Sequence, residues 1–288
     1  MAVSGGPDSV ALLLLANAAR GGIAAATVDH QLRAGSAEEV AQVGALCVRI
    51  GVPHTTLAAV VAPGASVQAK AREARYAALG RWAEESGIDY VLTAHHLDDQ
   101  AETLLMRLAR GAGLSGLAGV RASRALSDRV MVARPLLGWR KAELEAIVRE
   151  AGLTAVDDPS NRDPAHDRTR IRAVLGETGW LDPARVAATA RHLAESEEAL
   201  GWATDALASE RIAASGDSLS VDAAGLPREL QRRLVIAAMV RLRALPPRGR
   251  DLDHVLRMLA IGEPATLGGL KFKPGARWRI APAPPRSA

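Results

Sequence analysis

Over residues 1–150 the chain alternates between short apolar runs and longer stretches in which apolar residues recur every three or four positions. The short runs predict β-strands, and the helical spacing predicts amphipathic helices between them. The predicted strands are residues 2–4, 24–29, 55–60, 90–94 and 130–134, and the predicted helices are residues 8–20, 37–50, 67–86, 98–110 and 140–151. Because strands that alternate with helices form a parallel sheet covered on both faces, we expect a doubly wound α/β domain.

The pattern changes near residue 182, where the helical stretches become longer. Residues 183–213, 227–243 and 251–261 have helical spacing, whereas residues 218–221 and 266–280 have the pattern of short strands and turns. This indicates a second, mainly helical domain. We therefore expect a first domain over residues 1–178, a helical domain over residues 179–281 and a disordered tail over residues 282–288.

Two polar segments follow strands that would be neighbours in such a sheet. In the usual strand order 3-2-1-4-5 the first strand lies beside the fourth, and ligands bind where the winding direction reverses. Ser-Gly-Gly-Pro-Asp-Ser at residues 4–9 follows the first strand, and His-His-Leu-Asp-Asp-Gln at residues 95–100 follows the fourth, so the two are predicted to meet in one site. A central strand normally needs about five residues. Only three precede Ser4, so we expect that the natural chain begins upstream of Met1 rather than that this strand is very short.

Composition narrows the class of protein. The 288 residues are 48% hydrophobic and 24% charged, which is typical of a globular protein. Because no apolar run is long enough for a membrane span and no signal peptide pattern is present, we expect a cytoplasmic protein. The single cysteine, Cys47, fits a reducing compartment and disfavours Cys-rich zinc or iron–sulfur sites. Only four of the 36 basic residues are lysines; arginine suits phosphate recognition, but a compositional bias explains the same count.

The glycine-rich turn at residues 4–9 has the character of a phosphate-binding loop. Backbone N–H groups at a helix start have no partner within the helix and carry partial positive charge, and glycine lets an anion come close. Ser4 and Ser9 add hydroxyl donors. The segment matches neither a Walker A loop nor a dinucleotide-binding turn. The alternative is a plain strand-to-helix turn in which Asp8 or Ser9 caps the helix.

Asp99 and Glu102 lie three positions apart at the start of a predicted helix and therefore share one face. Two neighbouring carboxylates suit a cation, either an amine substrate or a magnesium ion, and can accept the proton that a nucleophilic amine loses. The alternative is structural, because acids in the first turn also cap a helix. We expect one of His95 and His96 to belong to the site. Adjacent side chains of a strand point to opposite faces, which argues against a metal ion shared by both histidines.

Further charged residues have a functional and an ordinary interpretation. They are Asp29 after the second strand, Arg75 within a helix, Arg110 at the start of a glycine-rich loop, and the closely spaced Arg168, Arg170 and Arg172. The acid can reach a bound nucleotide, and the arginines can contact phosphates or an RNA backbone. Each is equally compatible with a solvated turn, loop or helix face.

Together these segments resemble the PP-loop ATP pyrophosphatases and, within them, the tRNA(Ile)-lysidine synthetase family. The loop at residues 4–9 carries the wider resemblance. The narrower one rests on several motifs in the family's order, spread over residues 1–172. They are Val-Asp-His-Gln-Leu-Arg at 28–33, Ala-His-His-Leu-Asp-Asp-Gln-Ala-Glu-Thr at 94–103, Arg-Gly-Ala-Gly-Leu-Ser-Gly-Leu at 110–117, Arg-Pro-Leu-Leu at 134–137 and Asp-Pro-Ser-Asn at 158–161.

The resemblance implies a ligase that attaches free L-lysine to C2 of the wobble cytidine, position 34, of a tRNA(Ile) with a CAU anticodon. ATP, with Mg²⁺ between its phosphates, would adenylate the C2 oxygen and release pyrophosphate, and the lysine amine would then expel AMP. The implied ATP contacts are Ser4, Gly5, Gly6, Pro7, Asp8, Ser9, Val28 and His95. The implied catalytic residues are Asp29, Arg75, Asp99 and Glu102, and the implied tRNA contacts are Arg110, Arg168, Arg170 and Arg172, together with the second domain.

One motif departs from the family pattern, and three other functions are alternatives. The last family motif often reads Arg-Asn-x-Ile-Arg, whereas residues 168–172 read Arg-Thr-Arg-Ile-Arg. The first is tRNA thiolation, a chemistry that resembles sulfur transfer through several cysteines or a metal cluster. The single cysteine disfavours it. A small-molecule amide ligase would not need the arginine-rich segments. A non-catalytic tRNA-binding protein would not need Asp8, Asp99 and Glu102.

Overall fold

The computed structural model describes residues 1–19, 21–30, 35–59, 67–156, 167–247 and 249–284, without the side chains of residues 67 and 68. The chain divides into two units, Met1–Ala194 and Glu195–Ala288. Residues 31–33 of the Val-Asp-His-Gln-Leu-Arg motif and the whole Asp-Pro-Ser-Asn motif at 158–161 lie outside the described residues, as do the last residue of the first predicted helix and the last residue of the third predicted strand.

The first unit alternates between strands and helices, as the hydrophobic pattern predicts. Its helices are α1 (Pro7–Ala18), α2 (Ser36–Arg49), α3 (Val67–Glu85), α4 (Leu97–Ala109), α5 (Leu114–Leu117), α6 (Lys141–Glu150), α7 (Asp167–Glu177) and the first part of α8 (Pro183–Arg211). Its strands are β1 (Ala25–Asp29), β2 (His54–Ala58), β3 (Tyr90–Leu92), β4 (Ser123–Ala125) and β5 (Met131–Ala133).

The sheet of the first unit is assembled around residues 1–3. β1 pairs in parallel with β2, and β3 pairs in parallel with β5. Between these pairs, the Val3 N–H donates to the Ala26 carbonyl and the Ala2 N–H donates to the Leu92 carbonyl, each at 2.9 Å. The predicted order 3-2-1-4-5 is therefore confirmed. β4 is an antiparallel edge strand on β5 that the hydrophobic pattern does not predict.

Helices cover both faces of this sheet and confirm the doubly wound α/β class. Adjacent residues of β1 point to opposite faces: Ala25 joins the core formed with α1, α2 and α6, and Ala26 joins the core formed with α3. Pro7 suits the first position of α1, because its missing N–H would have no partner within the helix. The loops that follow the parallel strands therefore share one edge of the sheet.

The second unit combines helices with a sheet. Its helices are the rest of α8, α9 (Arg228–Arg241) and α10 (Gly249–Ala260). Its strands are β6 (Ile212–Ser215), β7 (Ser218–Val221), β8 (Ala265–Leu267), β9 (Leu270–Lys273) and β10 (Trp278–Pro282). They form an antiparallel sheet in the order β6-β7-β10-β9-β8. Phe272, Leu234, Met239 and Ile280 are fully buried in the core of this unit.

This five-stranded sheet adds to the mainly helical content that the sequence predicts for the second domain. Residues 218–221, which the sequence predicts as a short strand, form β7, and β8, β9 and β10 lie where it predicts short strands and turns, whereas β6 is too short for its alternation to be recognised. Pro282, which the sequence places in a tail, is the last residue of β10 and pairs with Leu270. Residues 285–288 of the predicted tail lie outside the described residues. Within the described ranges, every helix is too short or too polar to cross a lipid bilayer.

Candidate active site

The loop of residues 4–9 is fixed by hydrogen bonds among its own residues. The Ser4 N–H donates to Ser9 Oγ at 3.1 Å, and Ser9 Oγ donates to the Gly6 carbonyl at 2.9 Å. Gly6 is the N-cap of α1, and no side chain caps this helix start. The N–H groups of the first turn of α1 therefore have no side-chain acceptor among the described residues, and free N–H groups at a helix start suit a bound phosphate.

The two glycines of this loop serve different purposes. Gly5 has a φ of +87°, which a residue with a Cβ rarely adopts. An added Cβ would come within 3.0 Å of Val156 Cγ2 and 3.2 Å of Val43 Cγ2, so Gly5 is required by the fold itself. A Cβ at Gly6 would meet only Ser4 Oγ at 3.8 Å. Nothing in the described chain requires a glycine there, which fits a position that a ligand approaches closely.

His96 connects the loop to the first turn of α4. Its ring is buried, with Nε2 3.6 Å from Asp8 Oδ2 and 3.6 Å from Asp99 Oδ2, and Nδ1 3.7 Å from Asp98 Oδ2. Burial lowers the pKa of His96, but Asp8 and Asp98, with Asp99, outweigh burial and raise the pKa to about 9. His96 is therefore a cation at neutral pH that links acids from two elements.

The acids of this turn also have structural roles. Asp98 Oδ2 accepts a hydrogen bond from the Lys141 N–H at 2.8 Å and so connects α4 to α6. Burial raises the pKa of Asp98, but His96, the Lys141 N–H and Arg140 outweigh burial and lower the pKa to about 2. Asp99 Oδ2 accepts from the His96 N–H at 3.1 Å, as a helix cap does. The capping interpretation of Asp99 is thus correct. Asp99 Oδ1 takes no part in this cap and can contact another group.

Asp99 and Glu102 form a pair of buried carboxylates, which we call the cation site. Both carboxylates are buried on one face of α4. Two guanidinium groups of α7 occupy them. Arg168 Nη2 lies 3.3 Å from Asp99 Oδ1, and its Nε lies 2.7 Å from Glu102 Oε2. Arg172 Nε donates to Glu102 Oε1 at 2.5 Å.

Helical geometry separates the three arginines of α7. Arg168 and Arg172 are four positions apart and share the face that packs on α4, whereas Arg170 lies on the opposite side. The Arg170 side chain is 73% exposed, with its Nη1 3.9 Å from Asp167 Oδ1. Arg110 forms an exposed ion pair with Asp167 at the start of α7. Of the arginines predicted to bind tRNA, Arg110 and Arg170 are thus the exposed ones, and the tRNA role of all four stays a prediction.

A second group of predicted residues lies where β1 ends. Val28 and Asp29 are the last two residues of β1, and His30 follows them. Burial lowers the pKa of His30; Arg75 of α3 lowers it further, while Asp29 acts in the opposite direction. Asp29 and Arg75 are thus both near enough to His30 to affect its pKa. Their roles stay predictions.

The two adjacent histidines have different environments. His95 Nδ1 lies 3.1 Å from Thr93 Oγ1. Burial lowers the pKa of His95 to about 4, with Asp99 opposing and Arg134, Arg72 and Arg168 contributing, so its ring is neutral at pH 7. The sequence prediction assigned the ATP contact to His95 and did not include His96, whose contacts with three acids depend on the assembled loops. Because adjacent side chains of a strand point to opposite faces, the sequence predicted only that one of the two histidines belongs to the site.

Known proteins with similar sequences identify the family. A family model described as PP-loop domain matches residues 1–178. A tRNA(Ile)-lysidine synthase of Novosphingobium aromaticivorans is 48% identical over 99% of this chain and 88% of its own length. The chain belongs to the tRNA(Ile)-lysidine synthase family. A further protein of this lysidine synthase family, from Zymomonas mobilis, is 43% identical over 99% of this chain and 88% of its own.

A solved structure supports the fold of this lysidine synthase family member. The chain resembles the U34-tRNA thiolase NcsA from Methanococcus maripaludis, solved with its [4Fe-4S] cluster, with a TM-score of 0.55. Identity is 18% over 68% of this chain and 70% of the thiolase, so the likeness concerns the fold alone. A cluster of that kind is held by several thiolates, whereas Cys47 is the single cysteine here and is buried.

Proposed function

We propose that the protein attaches free L-lysine to C2 of the wobble cytidine of a CAU-anticodon tRNA(Ile), in an ATP-dependent reaction that forms lysidine. The observation that carries this proposal is the link between two sites. His96 contacts Asp8 of the phosphate loop and Asp99 of the cation site. A nucleotide in the loop and an amine on the carboxylates would therefore lie side by side, as an ATP-dependent ligation to an amine requires.

The phosphate loop is proposed to hold the phosphates of ATP. The residues concerned are Ser4, Gly5, Gly6, Pro7, Asp8 and Ser9. Asp8 Oδ1 is buried and has no hydrogen-bond partner among the described residues. A carboxylate oxygen with no protein partner suits Mg²⁺, which is often held by one or two carboxylates together with water and substrate phosphates. Asp8 would thus hold Mg²⁺, which supplies charge neutralisation for the pyrophosphate.

In the first half-reaction, the C2 oxygen of the cytidine forms a bond to the α-phosphorus of ATP, and the bond to pyrophosphate breaks. Asp29 and Arg75 are proposed to support this step, with the Arg75 guanidinium stabilising negative charge on the α-phosphate. Val28 and His95 are proposed to contact ATP. A His95 ring with a pKa near 4 can donate and accept hydrogen bonds without adding charge to the site.

In the second half-reaction, the ε-amine of lysine bonds to C2, and the bond from C2 to the oxygen of AMP breaks. Asp99 and Glu102 are proposed to hold the amine, and one of them accepts the proton that it loses. The guanidinium groups of Arg168 and Arg172 on these oxygens support a cation-binding role. Lysine must displace at least one of them.

The arginines of α7 would then connect lysine binding with RNA binding. A guanidinium group that leaves the carboxylates becomes available for an RNA phosphate, which is the role proposed for Arg168 and Arg172. Arg110 and Arg170 are exposed without that exchange. The second unit is proposed to bind other parts of the tRNA, and a cytoplasmic location follows from such a substrate.

A labelling experiment tests the proposed reaction. The full chain is incubated with ATP, labelled lysine and a transcript of CAU-anticodon tRNA(Ile). We expect label in the RNA, and release of pyrophosphate that needs both ATP and the RNA. A tRNA(Met) transcript with the same anticodon is the control and is expected to stay unlabelled. Failure to find RNA-linked lysine in the tRNA(Ile) reaction would overturn the proposal.

A further inference from the structure

Three arginines surround a buried tyrosine outside the contacts described above. The guanidinium carbon of Arg124 lies 4.4 Å from the centre of the Tyr76 ring, and that of Arg72 lies 5.2 Å from it. Burial raises the pKa of Tyr76, but Arg72, Arg134 and Arg124 outweigh burial and lower it. Arg134 is thus close to the same side chain. We call Arg72, Tyr76, Arg124 and Arg134 the arginine cluster.

The arginine cluster is built from residues that lie on or directly after three elements of the first unit. Arg72 and Tyr76 are one turn apart on α3, Arg124 is in the middle of β4, and Arg134 follows β5 directly. Arg124 pairs with Val132, which aligns the edge strand with the sheet. The Thr93 N–H donates to the Ala133 carbonyl at 3.0 Å. Arg134 therefore follows a residue that pairs with the segment leading to His95, and the cluster borders the candidate active site there. Arg134 and Arg72 also lower the pKa of His95.

The charge of the arginine cluster is poorly compensated. Arg134 is 4% exposed; its Nη1 donates to the Arg121 carbonyl at 2.6 Å, and its Nε has no partner among the described residues. Burial lowers the pKa of Arg134; Tyr76 opposes this, and Arg124 and Arg72 add to it, with no carboxylate among these groups. Contacts with an aromatic face offset part of the cost of gathering cations. A bound anion would offset more of it.

The acids that line the groove beside the arginine cluster form no ion pair with its arginines among the described contacts. Glu73 and Glu84 line the same open groove as Arg72 and Arg124. Glu84 accepts a hydrogen bond from the Ser127 hydroxyl instead. Glu73 is exposed, and no ion pair with a described residue holds it in place. Arg72 and Arg124 are exposed, and the hydrogen bond that Arg124 Nη1 donates to the Ala125 carbonyl is long, at 3.4 Å, so both guanidinium groups can reach an anion in the groove.

We propose that the arginine cluster is a docking site for a backbone phosphate of the RNA substrate, close to the nucleotide that reacts. Planar guanidinium groups pair with phosphate oxygens in a fixed geometry. Exposed Arg72 and Arg124 are accessible to a strand lying in the groove, while buried Arg134 adds a fixed charge behind them. The groove is distinct from the loop of residues 4–9, which receives the phosphates of ATP. The identity of the RNA rests on the proposed function.

Salt-dependent RNA binding tests this docking site. The full chain is titrated into fluorescently labelled tRNA(Ile) transcript without ATP or lysine, so that no reaction is required. At about 0.1 M salt we expect Arg124→Gln and Arg72→Gln each to raise Kd about fivefold, and the slope of log Kd against log salt to fall by about 1. Arg124→Lys keeps the charge and should keep the slope. Arg129→Gln, which changes an exposed arginine between β4 and β5 outside the cluster, should leave Kd and slope unchanged.

The outcomes separate this inference from the proposed function. An unchanged Kd and slope in both glutamine variants would overturn it, as would an equal loss in Arg129→Gln, which would indicate a general effect of net charge. If the cluster variants weaken RNA binding but the unsubstituted protein transfers no lysine, the docking site stands and the lysidine function fails. If lysine is transferred and the variants bind RNA normally, the function stands and the docking site fails.

Discussion

The phosphate loop and the cation site are neighbours, but different forces hold them. The loop is held largely by its main chain: the Val156 N–H donates to the Gly5 carbonyl at 3.0 Å, and the Ser9 hydroxyl closes the turn. The cation site is held by charge: Asp99 and Glu102 are buried against guanidinium groups from another helix. The loop is therefore formed by its own hydrogen bonds, whereas under the proposed function an amine would have to displace a guanidinium group from the cation site.

This difference predicts which ligand each change affects. A site held by main-chain hydrogen bonds keeps its shape when pH or a nearby charge changes, so we expect the loop of residues 4–9 to bind ATP without rearranging. A site of buried ion pairs is stable only while every charge has a partner, so replacing one member disturbs the others. Changes in the loop should thus affect folding and ATP binding, and changes in the cation site should affect the use of lysine.

The largest effect is expected from Glu102→Gln, which removes charge with little change of volume. We expect kcat/KM for lysine to fall about 10³-fold, because the amine loses both its counter-charge and a proton acceptor. ATP affinity, measured by titration, should stay within about twofold because the loop is untouched. Glu145→Gln on α6, an exposed acid, is the matched control for lysine use. Equal losses of ATP binding and lysine use would contradict the separation of the two sites.

The next effect concerns His96, which joins the two sites. Its pKa in the folded protein is about 9, against 6.5 for an ordinary histidine. Because the folded-state pKa is the higher one, its stabilisation is fully present below pH 6.5 and is lost as pH rises through 9. Between pH 6.5 and pH 9 the free energy of unfolding, measured with urea, should fall both in the unsubstituted protein and in His96→Gln. We expect the fall to be larger in the unsubstituted protein, by on the order of 3 kcal/mol. Parallel pH profiles for the two proteins would contradict this role.

The hydrophobic pattern was sufficient for the fold around the loop. Short apolar runs between amphipathic helices led to the parallel sheet, and the usual strand order then placed residues 4–9 beside residues 95–100. β4 and β6 were not predicted, because strands of three or four residues carry too little alternation, and the short strands predicted at residues 218–221 and within 266–280 could not be joined into one sheet from the sequence alone. Their pairing depends on contacts that only the assembled chain supplies.

The site was predictable where its geometry is local. Asp99 and Glu102 share a face through helical spacing alone, and the sequence predicted this. The contact between Glu102 and Arg172 joins residues 70 positions apart, and it depends on how α7 packs against α4. For the same reason the choice between His95 and His96 was not determined by the sequence. Burial and the surrounding charges give the two rings different pKa values, and these surroundings exist only in the folded chain.

A smaller effect distinguishes the two glycines of the loop. Gly5→Ala should lower the free energy of unfolding by about 2 kcal/mol, because of the positive φ and the contacts with Val156 and Val43. Gly6→Ala should change that free energy by less than about 0.5 kcal/mol and weaken ATP binding instead. Urea unfolding and ATP titration of both variants measure this. If Gly6→Ala destabilised the protein as much as Gly5→Ala, the fold itself would require a glycine at position 6, and the proposed close approach of a ligand would not explain it.

The smallest effects compare two arginines on opposite sides of α7. Arg170→Gln removes an exposed charge, so the Kd for RNA should rise about threefold with no change in the KM for lysine. Arg172→Gln removes one competitor for Glu102, so the KM for lysine should fall about threefold, because displacement of a guanidinium group no longer opposes binding. Steady-state lysine incorporation and RNA titration measure both. A higher KM for lysine in Arg172→Gln would mean that this arginine positions Glu102 for the amine, and the cation site would then be as preformed as the phosphate loop.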